Sequence, residues 1–125
     1  MAYDKNVSPV NWYAVSYLLR FVELADPDKE NPEKRFPTWE NTVLVKARYP
    51  AEAYRKGTKF ARLEAKPYRG GLAGVPVQWR FEGITNVLPI YEKLGDGAEI
   101  MWESRHPRKL KTLRNLVKRK PALIG

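Results

Sequence analysis

Few side chains in this sequence are suited to catalysis. Among its 125 residues there is a single histidine, His106, and no cysteine. The lack of cysteine excludes a thiol nucleophile, a thiolate metal site and a disulfide. One histidine without cysteine cannot supply the ligands of a usual zinc site. His106 lies in the cationic segment SRHPRK, where we interpret it as a solvated residue at the start of a helix rather than as a general base.

Carboxylates and glycines are the other candidates for chemistry. The densest acidic segment, residues 25–37, lacks the glycine and the spacing of a calcium loop, so it predicts a solvated loop. The run RGGLAG at 69–74 lacks the Gly-Lys-Ser/Thr ending of a phosphate-binding loop and precedes a strand, so we interpret it as a connector. The main prediction is a non-enzymatic protein without metal or cofactor. An enzyme using carboxylates and magnesium stays open as an alternative, through the glutamates on predicted strands: Glu40, Glu82, Glu99 and Glu103.

Positive charge is concentrated at one end of the chain. The formal net charge is +9, from 23 lysines and arginines against 14 acidic residues. Eight of the cations and no acidic residue lie after Ser104, which leaves the first 104 residues close to neutral. Such asymmetry favours an anionic partner at that end of the molecule. The candidate anion-binding residues are Arg105, Arg108, Lys109, Lys111, Arg114, Lys118, Arg119 and Lys120.

This basic segment has two compatible interpretations. Pro107 can open a helix over RKLKTLRNLVKRK, which Pro121 ends. In the first interpretation its apolar face docks on the body through Leu110, Leu113 and Val117. In the second its cations bind phosphates or an acidic protein, because a helix without acidic residues gains nothing from i,i+4 ion pairs and its cations repel one another. A second basic patch on the first helix would extend the surface if the two helices are adjacent: Arg55, Lys59, Arg62 and Lys66.

Alternation of apolar and polar residues predicts the strands. Residues 11–24 and 38–48 alternate with a period of two and are rich in aromatic and β-branched residues, as is typical of strands. Pro50 suits the first turn of a helix, continued by AEAYRKGTKFARLEA. Small residues recur on one face of that helix, so we expect it to pack closely on the sheet at Gly57. Further strands are predicted at 77–82 and, after a Gly-Asp-Gly turn, at 98–104. Residues 85–91 form either a short fourth strand or irregular structure, since Pro89 limits the bonding of a ladder there.

The order of these elements predicts an α+β protein. We expect a mostly antiparallel sheet of four to five strands, with one helix packed on a face and a basic helix at the C-terminus. The domains are a loosely packed N-terminal arm at 1–10, the α+β domain at 11–104, and the basic helix and tail at 105–125. The four tryptophans lie on or near predicted strands and are interpreted as core residues rather than as a platform for stacking bases. No apolar run is long enough to span a membrane and no secretory signal is visible, so we expect a cytoplasmic protein.

Several motifs together resemble a small bacterial family, the domain of unknown function DUF4288. They are the opening NWYAVSYLLRF, then TWENTVLVKARYPAEAYRKGTKFA, then VQWRFEGITNVLPIYEKLGDGAEIMWES. The resemblance covers about Asn11 to Ser104 and rests on the order and spacing of the motifs. It implies a compact α+β domain in a bacterial or phage setting and no particular activity. The basic tail and the proline-rich loop at 25–37 lie outside the family pattern.

The residues therefore predict a small binding module. Our leading hypothesis is contact with nucleic acid through the basic C-terminal helix. The alternative is a protein-binding accessory subunit, or an immunity- or antitoxin-type inhibitor of bacterial or phage origin, whose basic face meets an acidic protein surface. Neither hypothesis involves a membrane, and nothing in the sequence specifies an oligomeric state.

Overall fold

The computed structural model describes residues 4–124, so the first three residues of the N-terminal arm and the last residue of the tail lie outside the described range. The elements within it are β1 (Trp12–Glu23), β2 (Thr38–Lys46), α1 (Pro50–Glu64), β3 (Tyr68–Gly70), β4 (Val75–Pro89), α2 (Leu110–Leu116) and α3 (Lys120–Ile124). The strands form one sheet in the order β2-β1-β4-β3, and every neighbouring pair is antiparallel. The predicted α+β class and antiparallel sheet are confirmed.

β1 is an inner strand of the sheet because it carries apolar groups on both faces. It pairs with β2 on one side and with β4 on the other. Tyr13, Val15 and Tyr17 are completely buried and point toward α1, as the alternation predicts. On the opposite face Ala14 and Ser16 are also buried, and the Ser16 hydroxyl forms a 2.7 Å hydrogen bond with that of Thr42 on β2.

α1 packs on one face of the sheet through a stripe of small residues. Ala53, Gly57 and Ala61 are buried, one turn apart, and face the strands. A Cβ atom at Gly57 would lie 2.4 Å from Cγ1 of Val15, which is closer than two carbon atoms can approach. The close contact that the sequence predicted at Gly57 is therefore confirmed. Glycine at this position lets the helix axis lie close to β1.

β4 is one long strand where the sequence predicted a separate strand at 77–82 and either a strand or irregular structure at 85–91. Its register against β1 shifts twice, between Ser16 and Tyr17 and between Leu18 and Leu19. At each shift β4 contains one more residue than β1, namely Thr85 and Glu82. A bulge of this kind inserts a residue and reverses the alternation without ending the ladder. The break in period near residues 83–85 therefore marked two bulges and not a loop.

Two further expectations about strands are wrong. The glycine-rich connector contains β3, which pairs with Val75–Val77 through a turn in which Gly71 and Gly74 adopt positive φ angles. The strand predicted at 98–104 is absent, because no strand of the described residues lies beside that segment to bond with it. Its Trp102 instead lies 5.9 Å from the ring of Tyr91.

The C-terminal helix exists but is divided in two. α2 ends at Leu116, and Pro121 lies in the first turn of α3, where proline is well tolerated, rather than ending a helix. Neither α2 nor α3 packs on any other helix or strand of residues 4–124. Leu110, Leu113 and Val117 are all exposed, so the predicted docking on the body is wrong.

The described part of the N-terminal arm is anchored and not loose. Ser8 is buried, and its hydroxyl donates a hydrogen bond of 2.5 Å to the carbonyl oxygen of Ile90. The hydroxyl oxygen of Ser8 accepts bonds from the amides of Val10 and Trp12, and the amide of Ser8 donates to the hydroxyl of Tyr13. These bonds hold the start of β1 against the end of β4.

Candidate nucleic-acid interface

The eight cations after Ser104 are all exposed. Arg105 contacts a carboxylate, with its Nη2 atom 3.8 Å from Oε2 of Glu103. None of the other seven forms an ion pair with residues 4–124. Their charges are therefore left to solvent and to any partner.

The local structure of α2 leaves it short of negative charge. Its N-cap, Lys109, makes no side-chain capping bond, and no acidic residue lies in its first turn. A cation at the N-terminus of a helix opposes the helix dipole, whereas Arg114 in the last turn is placed favourably. Lys118 and Arg119 occupy the short link to α3, which begins at Lys120. An anion bound along this segment would relieve the repulsion within it.

Several cations of the body, in contrast to those of the tail, form ion pairs within the chain. Arg20 is largely buried beneath the loop at 25–37 and lies 3.1 Å from Glu82 and 3.6 Å from Glu30. Arg80 also pairs with Glu30, and Lys34 pairs with Asp26. The contact with Lys34 lowers the pKa of the Asp26 carboxyl. The acidic loop therefore neutralises cations of its own chain.

The basic patch predicted on α1 is exposed but separate from the tail. Arg55, Lys59, Arg62 and Lys66 form no ion pair among the described residues, and the guanidinium of Arg62 lies 5.9 Å from the ring centre of Phe81. Because α2 and α3 contact no other element, the structure does not bring the two sets of cations together.

A basic groove beside β2 was missed from the sequence. Its volume is about 380 Å³, and its lining residues are Trp12, Leu44, Lys46, Lys56, Lys59 and Phe60. The signal was available in part, because Lys56 and Phe60 lie four apart on one side of α1. Lys46 could be added only once the pairing of β2 was known.

An aromatic pocket lies at the other end of β2. It has a volume of about 200 Å³ and is lined by Leu19, Trp39, Asn41, Glu64 and Trp79. The two tryptophan rings meet edge to face at 5.8 Å, and Trp39 is 62 % exposed, which departs from the core position predicted for it. Trp102 is also exposed, whereas Trp12 and Trp79 are partly buried.

Two of the residues that line this pocket, Asn41 and Glu64, belong to a polar cluster with Tyr17. The buried Tyr17 hydroxyl donates a 2.7 Å bond to Oε1 of Glu64, and the Asn41 amide donates a 3.3 Å bond to Oε2. Burial of the phenol, followed by its bond to the Glu64 carboxylate, raises the pKa of Tyr17 to about 12. Because Tyr17 lies on β1, Asn41 on β2 and Glu64 at the end of α1, these two bonds fasten α1 to the sheet.

The glutamates considered for an enzyme do not form a metal site. Within residues 4–124 no group of three or more histidine or acidic side chains is placed to hold a metal ion. Glu82 and Glu103 instead contact Arg20 and Arg105. None of the described helices is long and apolar enough to cross a membrane.

Comparison with known families accounts for the body and not for the tail. The model of the domain of unknown function DUF4288 matches residues 12–102. The chain belongs to the DUF4288 family. No curated protein and no solved structure matches it. The DUF4288 match begins at the first residue of β1 and ends before α2. The four strands and α1 therefore lie in the family region, and α2 and α3 follow it.

Proposed function

We propose that the chain is a non-enzymatic nucleic-acid-binding module that contacts phosphates through its basic C-terminal segment. The observation that carries the proposal is the set of seven exposed cations, after Arg105, that lack any ion pair with the described residues. Arginine and lysine side chains that are free of internal carboxylates release counterions when they neutralise phosphates, and this release favours binding. The proposal places the protein in the cytoplasm of a bacterium or of a phage-infected cell.

The proposed contact is electrostatic and independent of base sequence. α2 is only seven residues long, and the cations are spread along the whole segment rather than gathered on one helix. The proposal therefore assigns them to phosphates, which position a protein but carry no sequence information. If six cations contact phosphates of a duplex, the slope of log affinity against log salt is about −5, which is roughly a thousandfold loss between about 50 and 200 mM salt.

The experiment compares two variants that lose the same charge. One replaces Arg108, Lys109, Lys111 and Arg114 with glutamine. The matched control replaces the four cations of the α1 patch with glutamine. We expect the tail variant to reduce the slope by about 3.6 with duplex DNA, at about 0.9 for each lost phosphate contact, and the control to change it by less than one. Fluorescence anisotropy with labelled duplex and single strands measures both. Absent binding at low salt, or equal effects of the two variants, would exclude the tail as the interface.

A second candidate function is supported by the apolar side chains of the same segment. Leu110, Leu113, Leu116 and Val117 are exposed beside the cations. Contacts with phosphates make no use of such groups, whereas an acidic protein with an apolar groove would bury them as a helix-in-groove contact. In this alternative the chain is an accessory subunit or an immunity- or antitoxin-type inhibitor.

The two functions are separated by changing the apolar side chains alone. Replacing Leu113 and Leu116 with glutamine leaves every cation in place. We expect this variant to bind oligonucleotides with unchanged affinity if phosphates are the partner. Loss of a co-purifying acidic protein, with oligonucleotide binding absent in both forms, would instead favour the second candidate. Quantitative pull-downs with the variant and the unchanged chain provide the comparison.

A further inference from the structure

The two edges of the sheet differ in how well they could accept another strand. On the β4 side the edge is covered by β3 near its start, is interrupted by the bulges at Glu82 and Thr85, and ends at Pro89. On the β2 side the pairing runs for nine residues without a shift, and no proline lies between Thr38 and Lys46. Bulges, prolines, short covering strands and charged side chains all hinder pairing between edges. The β4 side has the first three, whereas β2 has only two charged side chains, Glu40 and Lys46, which are opposite in sign.

The backbone groups that β2 presents outward can be assigned from its register. One backbone hydrogen bond lies just beyond each end of the ladder between β1 and β2. The amide of Phe21 donates to the carbonyl of Pro37 at one end, and the amide of Ala47 donates to the carbonyl of Asn11 at the other. Odd-numbered residues of β2 therefore bond to β1, and the even-numbered residues point their amides and carbonyls away from it. Among residues 4–124, the backbones of Glu40, Thr42 and Leu44 have no other partner.

Charge on the same strand selects one register for a second copy. In an antiparallel pair of two β2 strands, outward residues must face outward residues, so the possible registers differ by steps of two. The register centred on Val43 sets Glu40 of one copy opposite Lys46 of the other, twice by symmetry, and pairs Thr42 with Leu44. A shift of two in one direction sets Glu40 opposite Leu44. A shift in the other direction sets Glu40 opposite Arg48, which lies beyond the end of β2 and whose carbonyl already accepts a bond from the Tyr13 hydroxyl.

We infer that two copies of this chain pair through β2, antiparallel and centred on Val43, to form a continuous eight-stranded sheet. Glu40 and Lys46 are both exposed and form no ion pair with the described residues of their own chain. In the dimer each acquires a partner of opposite charge, and the free amides and carbonyls of the edge are satisfied. Lys56 donates a 2.7 Å bond to the outward carbonyl of Lys46, which leaves that oxygen a second lone pair for the partner strand.

The first experiment measures self-association of the full chain by analytical ultracentrifugation. We expect a dimer whose dissociation constant is weakened about tenfold by Glu40→Lys and by Lys46→Glu, since each change creates two contacts between like charges. The double variant restores opposite charges across the axis and should recover the affinity. Glu99→Lys makes the same charge change at an exposed site away from β2 and serves as the control. A monomer at all concentrations, or equal effects of Glu40→Lys and Glu99→Lys, overturns the inference.

The second experiment reads the register from disulfide formation. The chain has no cysteine, so each single cysteine variant can cross-link only to its copy. Val43 lies on the axis as a pair without hydrogen bonds, in which the two Cα atoms are close enough for a disulfide. We expect Val43→Cys to form a covalent dimer in air, and Thr42→Cys and Leu44→Cys to form none. Cross-linking at Thr42 or Leu44 would overturn the proposed register, and thermal unfolding in reductant confirms that each variant is folded.

Discussion

At the residue scale, the contact between Gly57 and Val15 sets how closely α1 can lie on the sheet. Gly57→Ala should gain about 1 kcal/mol of helix propensity, but its methyl group would meet Val15 at 2.4 Å. Overpacking of a tight core costs about 1–3 kcal/mol, so we expect a net loss of up to about 2 kcal/mol in the free energy of unfolding.

Urea denaturation of the Gly57→Ala variant measures this loss. Lys59→Ala, on the exposed side of the same helix, is the control and should be neutral. Adding Val15→Ala to Gly57→Ala should cost less than the sum of the two single changes, because it removes the atoms that clash. A stabilised Gly57→Ala variant would contradict the packing of α1 described above.

Tyr17 makes stability depend on pH in the alkaline range. Burial and the bond to Glu64 raise its pKa from 10.0 to about 12. The native state therefore holds the phenol proton more tightly than the unfolded state. Its contribution to stability is complete below pH 10 and is lost as the pH rises toward 12. Between about pH 9 and 11 the free energy of unfolding of the unchanged chain should fall by about 1 kcal/mol more than that of a Tyr17→Phe variant.

The lysines and the other tyrosines also titrate in this pH range. They are the same in the unchanged chain and in the Tyr17→Phe variant, so the difference between the two chains reports on Tyr17 alone. The measurement is urea denaturation of the two chains at matched pH values. Parallel stability curves for the two chains would show that the Tyr17 hydroxyl is not held by Glu64 in solution.

At the scale of elements, the sequence predicted those segments whose pattern is set by contacts within the segment. The alternation of β1 and β2 and the small-residue stripe of α1 follow from the faces that the sheet and the helix turn toward each other, and all three elements are close to their predicted bounds. The uninterrupted length of β4 could not be predicted, because the two bulges that reverse its alternation are visible only against β1. The segment at 98–104 alternates equally well but has no neighbouring strand.

The candidate interface was likewise predictable in part. The cluster of cations after Ser104 follows from composition alone, and the structure leaves it exposed. Whether Leu113 and its apolar neighbours dock on the body depends on whether a complementary surface exists, which the sequence of the tail does not contain. The groove with Lys46 depends on the approach of α1 to β2, which is a property of the assembled sheet.

The isolation of α2 and α3 leads to a prediction about stability. Since neither helix packs on any other element of the described residues, a chain ending at Ser104 should retain the full stability of the body. We expect its melting temperature to lie within about 2 °C of that of the full chain, because surface changes away from packed groups cost little. Differential scanning calorimetry of the two chains gives the comparison. A decrease of more than about 5 °C would show that the tail packs on the body in solution.

At the scale of the whole molecule, the chain is a nearly neutral body joined to a cationic segment whose helices, α2 and α3, pack on no other helix or strand of the described residues. A ligand raises the melting temperature of a domain only if it binds the folded form better than the unfolded form. A polyanion that contacts the tail alone meets the same cations in both states. Saturating duplex DNA should therefore leave the melting temperature of the body unchanged to within about 1 °C.

This test separates the two basic surfaces of the molecule. Thermal unfolding is followed by tryptophan fluorescence with and without duplex, at a concentration where anisotropy shows complete binding. A clear increase in melting temperature would mean that the folded body takes part, through α1 or the groove beside β2. Repeating the experiment with the chain that ends at Ser104 would then show whether the body binds duplex without the tail.

The central position of β1 also has a consequence for synthesis. Tyr13 of β1 pairs with Pro89 of β4. The ribosome makes β1 first and β4 last among these strands, so one side of β1 stays without a partner until β4 has been made. Sheets that rely on such distant pairings fold slowly, because a long loop must close before the contacts form. A nascent chain halted before residue 75 would carry Tyr13, Val15 and Tyr17 without β4 to shelter them. We therefore expect a ribosome-bound chain of this length to expose apolar side chains that the finished sheet buries.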